Sequence, residues 1–343
     1  MIPNQIYRPI FLALTGIAIL FLAGCGSFNS RAFLSTVPTT IDTSAHEEIK
    51  QQKPCITIWI HGTKLTPPAI MHNFFYRKLG LHAAQSYETR YHMRTIAQTL
   101  ASENPLQFCQ DNFYFFGWSG KLSFKERKKA AQELYAHLLD LHEIYTEKYK
   151  QSPSIRLITH SHGGNVALNL ARVRNENCHL KIDELILMAC PVQTETMNLV
   201  QEPLFEKIYS FYSKADLMQI IDPQGLYNNK LPQTPLFSRH LFPHHVNLIQ
   251  IETKTSRHGF SHVEFLLIKF IRHLPAIMDS IKEQMIDIAD NKLTLQFIKQ
   301  RQGFKRNVSP DFIVYRELPA QLKRHQSWHL PAILQAILNA LVV

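Results

Sequence analysis

Six short runs dense in apolar residues recur along the chain from residue 55 onward. They are Ile56–Ile60, Asn112–Phe116, Ser154–Thr159, Glu184–Met188, Lys207–Tyr212 and Val246–Ile251. Runs of this length without strict alternation suit strands covered on both faces, as in a parallel sheet. Between the second and third lies a different rhythm: Ala130, Leu134, Leu138, Leu141 and Tyr145 repeat at three- and four-residue spacing, which predicts an amphipathic helix over Phe124–Tyr149. Strand and helix in alternation predict an α/β fold, a mostly parallel central sheet with helices on both faces. Two stretches, Thr63–Gln110 and the proline-rich Leu217–His245, have no clear period and read as insertions at the sheet edge. A further helix follows His262, with Phe265, Leu266, Ile268 and Ile271 on its apolar face, running towards Ile281. Beyond Asn291, Asp311–Tyr315 reads as an extra strand, and Leu330 to Leu341 carries an apolar stripe for core packing or a membrane surface.

The amino terminus follows another logic. Arg8 precedes Ile10–Ala23, fourteen residues that are apolar except for Thr15 and Gly16. A bilayer span needs about 20 residues, so the run fits a secretory signal better. It ends in Leu22-Ala23-Gly24-Cys25, which resembles the lipobox of bacterial lipoproteins. The resemblance implies cleavage before Cys25, acylation of that cysteine and tethering to membrane lipid. With Gly26 rather than Asp after the cysteine, the bacterial outer membrane is the favoured site in the cell envelope. The expected organisation is a signal peptide at 1–24, a tether at 25–53, the α/β domain at 54–282 with a cap-like insertion at 217–245, and an extension of unknown role at 283–343.

Composition narrows the classes. The 343 residues are 45% apolar and 19% charged, which excludes a disordered tail or a small disulfide scaffold. The formal charge is +10, concentrated in two places. Lys121–Lys129 holds five basic residues and one Glu, and Lys299–Arg324 seven basic and two acidic. These are either solvated surfaces or contacts for an anionic partner such as lipid headgroups. No aromatic residues interleave with the lysines in the way nucleic-acid binding uses, so no nucleic-acid partner is expected.

The third run leads directly into Thr159-His160-Ser161-His162-Gly163-Gly164 and a helical pattern over Asn165–Arg172. This resembles the nucleophile elbow of the α/β-hydrolases, G-x-S-x-G, with Thr159 in place of the first glycine. The family's chain order is Ser, acid, His, and the slots are filled. Ser213-Lys214-Ala215-Asp216 follows the fifth run, and Arg257-His258-Gly259-Phe260-Ser261-His262 follows the sixth. The resemblance implies an α/β-hydrolase fold with a triad of Ser161, Asp216 and His262, His258 being the alternative base. Asp222 is the alternative acid. Backbone N–H groups of His162 and of Thr63, in the loop His61-Gly62-Thr63, would form the oxyanion hole.

The expected activity is that of a serine esterase or lipase-like enzyme cleaving carboxylic esters, lipid or acyl esters among them, through an acyl-enzyme. The alternatives are an acyltransferase and a non-catalytic lipoprotein that keeps the scaffold for binding. In that fold the first two runs lie side by side, which allows a Cys55–Cys109 disulfide. Trp118 is expected either to line the cleft or to pack inside. Although 18 histidines are present, His160 and His162 are accounted for by the elbow, and neither a metal nor a cofactor is expected.

Overall fold

A computed structural model describes residues 53–64, 78–88, 91–175, 180–220, 239–256, 258–284, 292–297 and 312–316. The six apolar runs are strands, and three more join them. In chain order they are β1 (Cys55–Ile60), β2 (Gly80–Ala83), β3 (Phe113–Gly117), β4 (Ser154–His160), β5 (Glu184–Met188), β6 (Ile208–Tyr212), β7 (Leu248–Thr255), β8 (Lys292–Phe297) and β9 (Phe312–Arg316). They form one sheet in the order β2-β3-β1-β4-β5-β6-β7-β8-β9. Every pairing from β3 to β8 is parallel, and the two edge strands β2 and β9 are antiparallel to their neighbours.

Register decides where the chemistry sits. Ile60 is level with Phe116 and Thr159, Thr159 with Leu187, Met188 with Phe211, and Phe211 with Ile251. The carboxyl ends of β1, β3, β4, β5 and β6 therefore line one edge, and the loops that leave them can converge there.

Six helices cover the sheet among the described residues: α1 (His92–Glu103), α2 (Phe124–Tyr149), α3 (Gly163–Leu168), α4 (Leu170–Val173), α5 (Leu217–Ile220) and α6 (Ile268–Gln284). The apolar stripe expected on α2 is its buried face, with Ala130, Leu134, Leu138, Leu141 and Tyr145 packed on Ile56, Ile58 and Leu157. Ser123 caps that helix by accepting from the Glu126 N–H at 3.4 Å, and Lys150, in the left-handed region at φ 57°, ends it. On the opposite face α1 and α6 pack together through Ile96, Leu100, Ile271, Leu274 and Ile277, over Ile158, Ile186 and Ile249.

Several expectations change. The stretch Thr63–Gln110 contains β2 and α1. The apolar spacing Met93, Ile96, Ala97, Leu100 is helical, but no side chain caps its start. The boundary at residue 282 is too early, since β8 and β9 extend the same sheet. The helix after His262 begins later than expected: a 3-10 turn at Glu264–Leu266 precedes α6. Cys55 and Cys109 are free thiols. The register Thr57↔Phe113 puts Cys55 level with Asp111, and Cys109 lies beyond it, ahead of a 3-10 turn at Gln110–Asn112. Cys25, the tether, Cys178, Asp222, most of the 217–245 insertion and the stripe Leu330–Leu341 fall outside the described residues. Among the described residues no helix is long and apolar enough to cross a membrane.

Candidate active site

β4 ends at His160, and the chain turns into α3 within two residues. Ser161 sits at that bend with φ 53°, in the left-handed region that L-residues rarely occupy. Two backbone bonds hold it there. Its N–H donates to the Met188 carbonyl at the end of β5 at 2.9 Å, and its carbonyl accepts from the Gly164 N–H at 3.0 Å as the helix begins. The close approaches explain the glycines. A Cβ on Gly163 would stand 2.5 Å from the Ile60 carbonyl oxygen and 2.6 Å from that of His61. A Cβ on Gly62 would stand 2.7 Å from the Ser161 Cβ. The oxyanion-loop candidate and the nucleophile candidate are therefore packed against each other.

Thr159 holds the place of the usual first glycine. Fully buried between β1 and β5, it donates its hydroxyl hydrogen to the Ile186 carbonyl at 3.1 Å. A β-branched residue fits because it is a strand residue at that point, and its polar atom has a partner.

Asp216 follows β6 and is 1% exposed. One carboxylate oxygen accepts from the Gln219 N–H at 3.1 Å, and the other lies 2.8 Å from His262 Nδ1. An ionised carboxylate only accepts, so the imidazole Nδ1 carries the hydrogen and Nε2 is left as the basic atom. His262 follows β7 in a turn between Phe260 and the 3-10 segment. The structure thus brings Asp216 and His262 together and leaves His258 apart. His258 is exposed, with its N–H on Thr255 Oγ1 and its Nδ1 2.9 Å from the Gly259 carbonyl. Among the described residues the Ser161 hydroxyl makes no hydrogen bond. Such bonds are often long in ligand-free enzymes and shorten when substrate binds.

Behind Ser161, His162 stands at the N-cap of α3, and its Nδ1 lies 3.3 Å from the Asn165 amide. Burial holds its imidazole well below the ordinary histidine pKa, aided by the Arg127 charge and then by His262. Arg127 is wholly buried, donates to Gln193 Oε1 at 2.9 Å and stacks over the Phe124 ring at 4.8 Å. Asn165 also donates to the Pro191 carbonyl at 2.9 Å and accepts from the Thr196 hydroxyl.

The second oxyanion candidate, Thr63, stands one residue beyond Gly62, in a loop whose next residue donates from the Lys64 N–H to the Gly120 carbonyl at 2.8 Å. Trp118 is buried at 1% exposure and serves this loop instead of facing the cleft. Its indole N–H donates to the His61 carbonyl at 2.8 Å, its backbone N–H donates to His61 Nε2 at 3.2 Å, and the two rings stack at 5.8 Å. Among the described residues no three His, Cys, Asp or Glu side chains converge as metal ligands.

Sequence reasoning singled out Ser161, His162, Thr63, Asp216 and His262, but not the roles of His61, Asn165, Arg127 and Gln193. His61 was visible as part of His-Gly. Arg127 was hidden in a charge run, where only tertiary packing separates one buried cation from four exposed lysines.

Comparison with known proteins bears on the same region. Residues 83–262, more than half of the chain, match the model of the PGAP1-like alpha/beta domain. A search of the curated proteins finds no match. Among solved structures the chain is similar to an alpha-beta serine hydrolase homologue from Coxiella burnetii, with 15% identity over 74% of this chain and 99% of that one and a TM-score of 0.37. It is also similar to an esterase from Pyrococcus furiosus, at 14% identity over 68% of this chain and 79% of that one with a TM-score of 0.34. At these scores the likenesses say nothing about substrate. The matched segment includes Ser161, Asp216 and His262. The chain belongs to the PGAP1-like alpha/beta domain family.

Proposed function

We propose that the protein is a membrane-anchored esterase of lipid or other acyl esters, working through Ser161, Asp216 and His262. The observation that carries this reading is the 2.8 Å contact of His262 Nδ1 with a buried Asp216 carboxylate, on the sheet edge where Ser161 is held at φ 53°. Ser161 Oγ attacks the ester carbonyl carbon while His262 Nε2 takes its proton. The negative charge on the carbonyl oxygen is met by the N–H groups of His162 and Thr63 and by the start of α3. His262 then returns the proton to the departing alcohol, and Asp216 stabilises the imidazolium in between. Water, activated by the same imidazole, attacks the acyl-Ser161 ester and releases the acid.

The membrane part of the reading rests on Leu22-Ala23-Gly24-Cys25 after a fourteen-residue apolar run, and on the basic stretch Lys121–Lys129. Acyl chains on Cys25 would hold the enzyme on the envelope membrane, since several chains bind far more firmly than one. Lipidic esters are then the substrates nearest at hand.

Two experiments test the two parts. A chain-length series of p-nitrophenyl esters should be hydrolysed by the full-length protein, and Ser161→Ala should abolish turnover. No hydrolysis of any ester in the series by folded protein would overturn the esterase reading. Radiolabelled palmitate should be incorporated by the parent chain in a bacterial host and lost in Cys25→Ala. Equal labelling of both would overturn the anchor.

A further inference from the structure

We propose that His160, the residue before the nucleophile, is a positioning residue that holds His262 in place through that residue's own backbone. His160 is the last residue of β4, level with Met188 on β5, so its main chain is fixed to that neighbouring strand at the strand end. Its ring is buried, and Nε2–H donates to the carbonyl of His262 at 2.9 Å, 102 residues away in sequence.

The acceptor is what gives this bond its meaning. His262 lies in a turn, outside any strand or helix, between β7 and the 3-10 segment. The side chain of His262 is steered by Asp216, but its Cα is placed by the loop. Local restraint comes from the Glu264 N–H on the Ser261 carbonyl at 3.1 Å and the Ser261 N–H on the Glu264 carboxylate at 2.5 Å. Those bonds shape the turn internally. The bond from His160 ties the turn to the strand that carries Ser161, and so sets the distance between base and nucleophile.

The same ring restrains the base directly. The two imidazoles lie 4.7 Å apart at 59°, so His160 walls one side of the His262 ring. The Gly62 loop lies close to the same ring: a Cβ on Gly62 would stand 3.4 Å from His160 Nδ1. With Nε2 as donor, the His160 ring is the neutral Nε2–H tautomer. Burial and the neighbouring His262 favour that uncharged form. The imidazole of His262 and the loop at Gly62 thus lie beside one buried ring, carried by the residue next to Ser161.

A histidine that merely filled core space would be replaceable by any residue of like volume. The full-length His160→Leu and His160→Gln variants separate the two roles, since Gln keeps an N–H donor and Leu has none. A misplacement of about 1 Å in a catalytic group costs on the order of 10²-fold. His160→Leu should therefore lose about 10- to 100-fold in kcat on a p-nitrophenyl ester, with KM changed less than about threefold. His160→Gln should recover most of that loss. Equal losses in both folded variants, or a loss expressed in KM, would overturn the proposal. If the variants do not fold, ¹⁵N-histidine NMR of the unmodified chain decides instead. It should show the assigned His160 resonance fixed as the neutral Nε2–H form, with a slowly exchanging proton, from about pH 5 to pH 8. A titrating or Nδ1–H signal for His160 would contradict it. Loss of turnover in Ser161→Ala speaks only to the nucleophile, so failure of the serine reading and failure of this one are distinguishable.

Discussion

Acidification should destabilise the folded protein through its buried imidazoles, and His160 allows the size to be worked out. Burial, followed by the charge of His262, lowers its pKa from the ordinary 6.5 to about 3. The unfolded chain therefore takes up a proton at this residue between roughly pH 6.5 and pH 3, while the folded chain does not. Stability rises with pH wherever the unfolded state binds more protons, so it is intact above about pH 6.5 and lost as the pH falls towards 3. At about pH 5 the unfolded state gains about 2 kcal/mol from this one ring, and the full shift is on the order of 5 kcal/mol. With a urea m-value of about 3 kcal/mol/M, that 2 kcal/mol moves the unfolding midpoint by about 0.7 M. His162 contributes with the same sign, as do other groups, so the assay is a difference. Urea unfolding of the full-length chain and of His160→Gln is followed at about pH 7.5 and about pH 5. The parent should lose about 2 kcal/mol more than the variant over that interval. Parallel losses would refute the reasoning, because they would mean that His160 is protonated in the folded state as readily as in the unfolded one.

Other outcomes follow from the same contacts. Asp216→Asn should lower kcat by about 10⁴-fold with the fold retained, because the amide no longer selects the Nδ1–H tautomer; steady-state kinetics and circular dichroism check this. His262→Ala should lower turnover by orders of magnitude, whereas His258→Ala, on an exposed turn, should leave kcat within about twofold. Gly62→Ala puts a methyl 2.7 Å from Ser161 Cβ; kcat should fall about 100-fold while thermal unfolding shows a cost of about 1–3 kcal/mol. Trp118→Phe removes the indole donor to the His61 carbonyl and should cost about 1 kcal/mol of stability, together with a drop in kcat as the oxyanion loop loosens.

Much of this site could be read from the residues. The apolar runs are strands because a sheet covered on both faces leaves no polar alternation to obscure them, and β1, β3, β4, β5, β6 and β7 all appear in the pattern. The bend at Ser161 was legible because the turn demands small neighbours at Gly163 and Gly164. Edge elements were harder. In β2, Gly80-Leu-His-Ala, no residue is fully buried, so no apolar run marks it, and α1 lacks a capping side chain. The choice between His258 and His262 needed tertiary contact, since four residues of sequence separate a solvent-exposed turn from the buried carboxylate. Trp118 and His160 were beyond sequence reading for a similar reason. The carbonyls of His61 and His262 that accept from them are backbone atoms that every residue carries, so no pattern of side chains announces those two bonds.

The account rests on Ser161 being a nucleophile, and covalent labelling asks that most directly. The folded full-length chain is treated with a fluorophosphonate, and the modified residue is located by peptide mass spectrometry. One adduct on the peptide that contains Ser161, absent from Ser161→Ala and from protein unfolded beforehand, is the predicted result. Folded protein that stays unlabelled, or that is labelled equally when Ser161 is replaced, would contradict it.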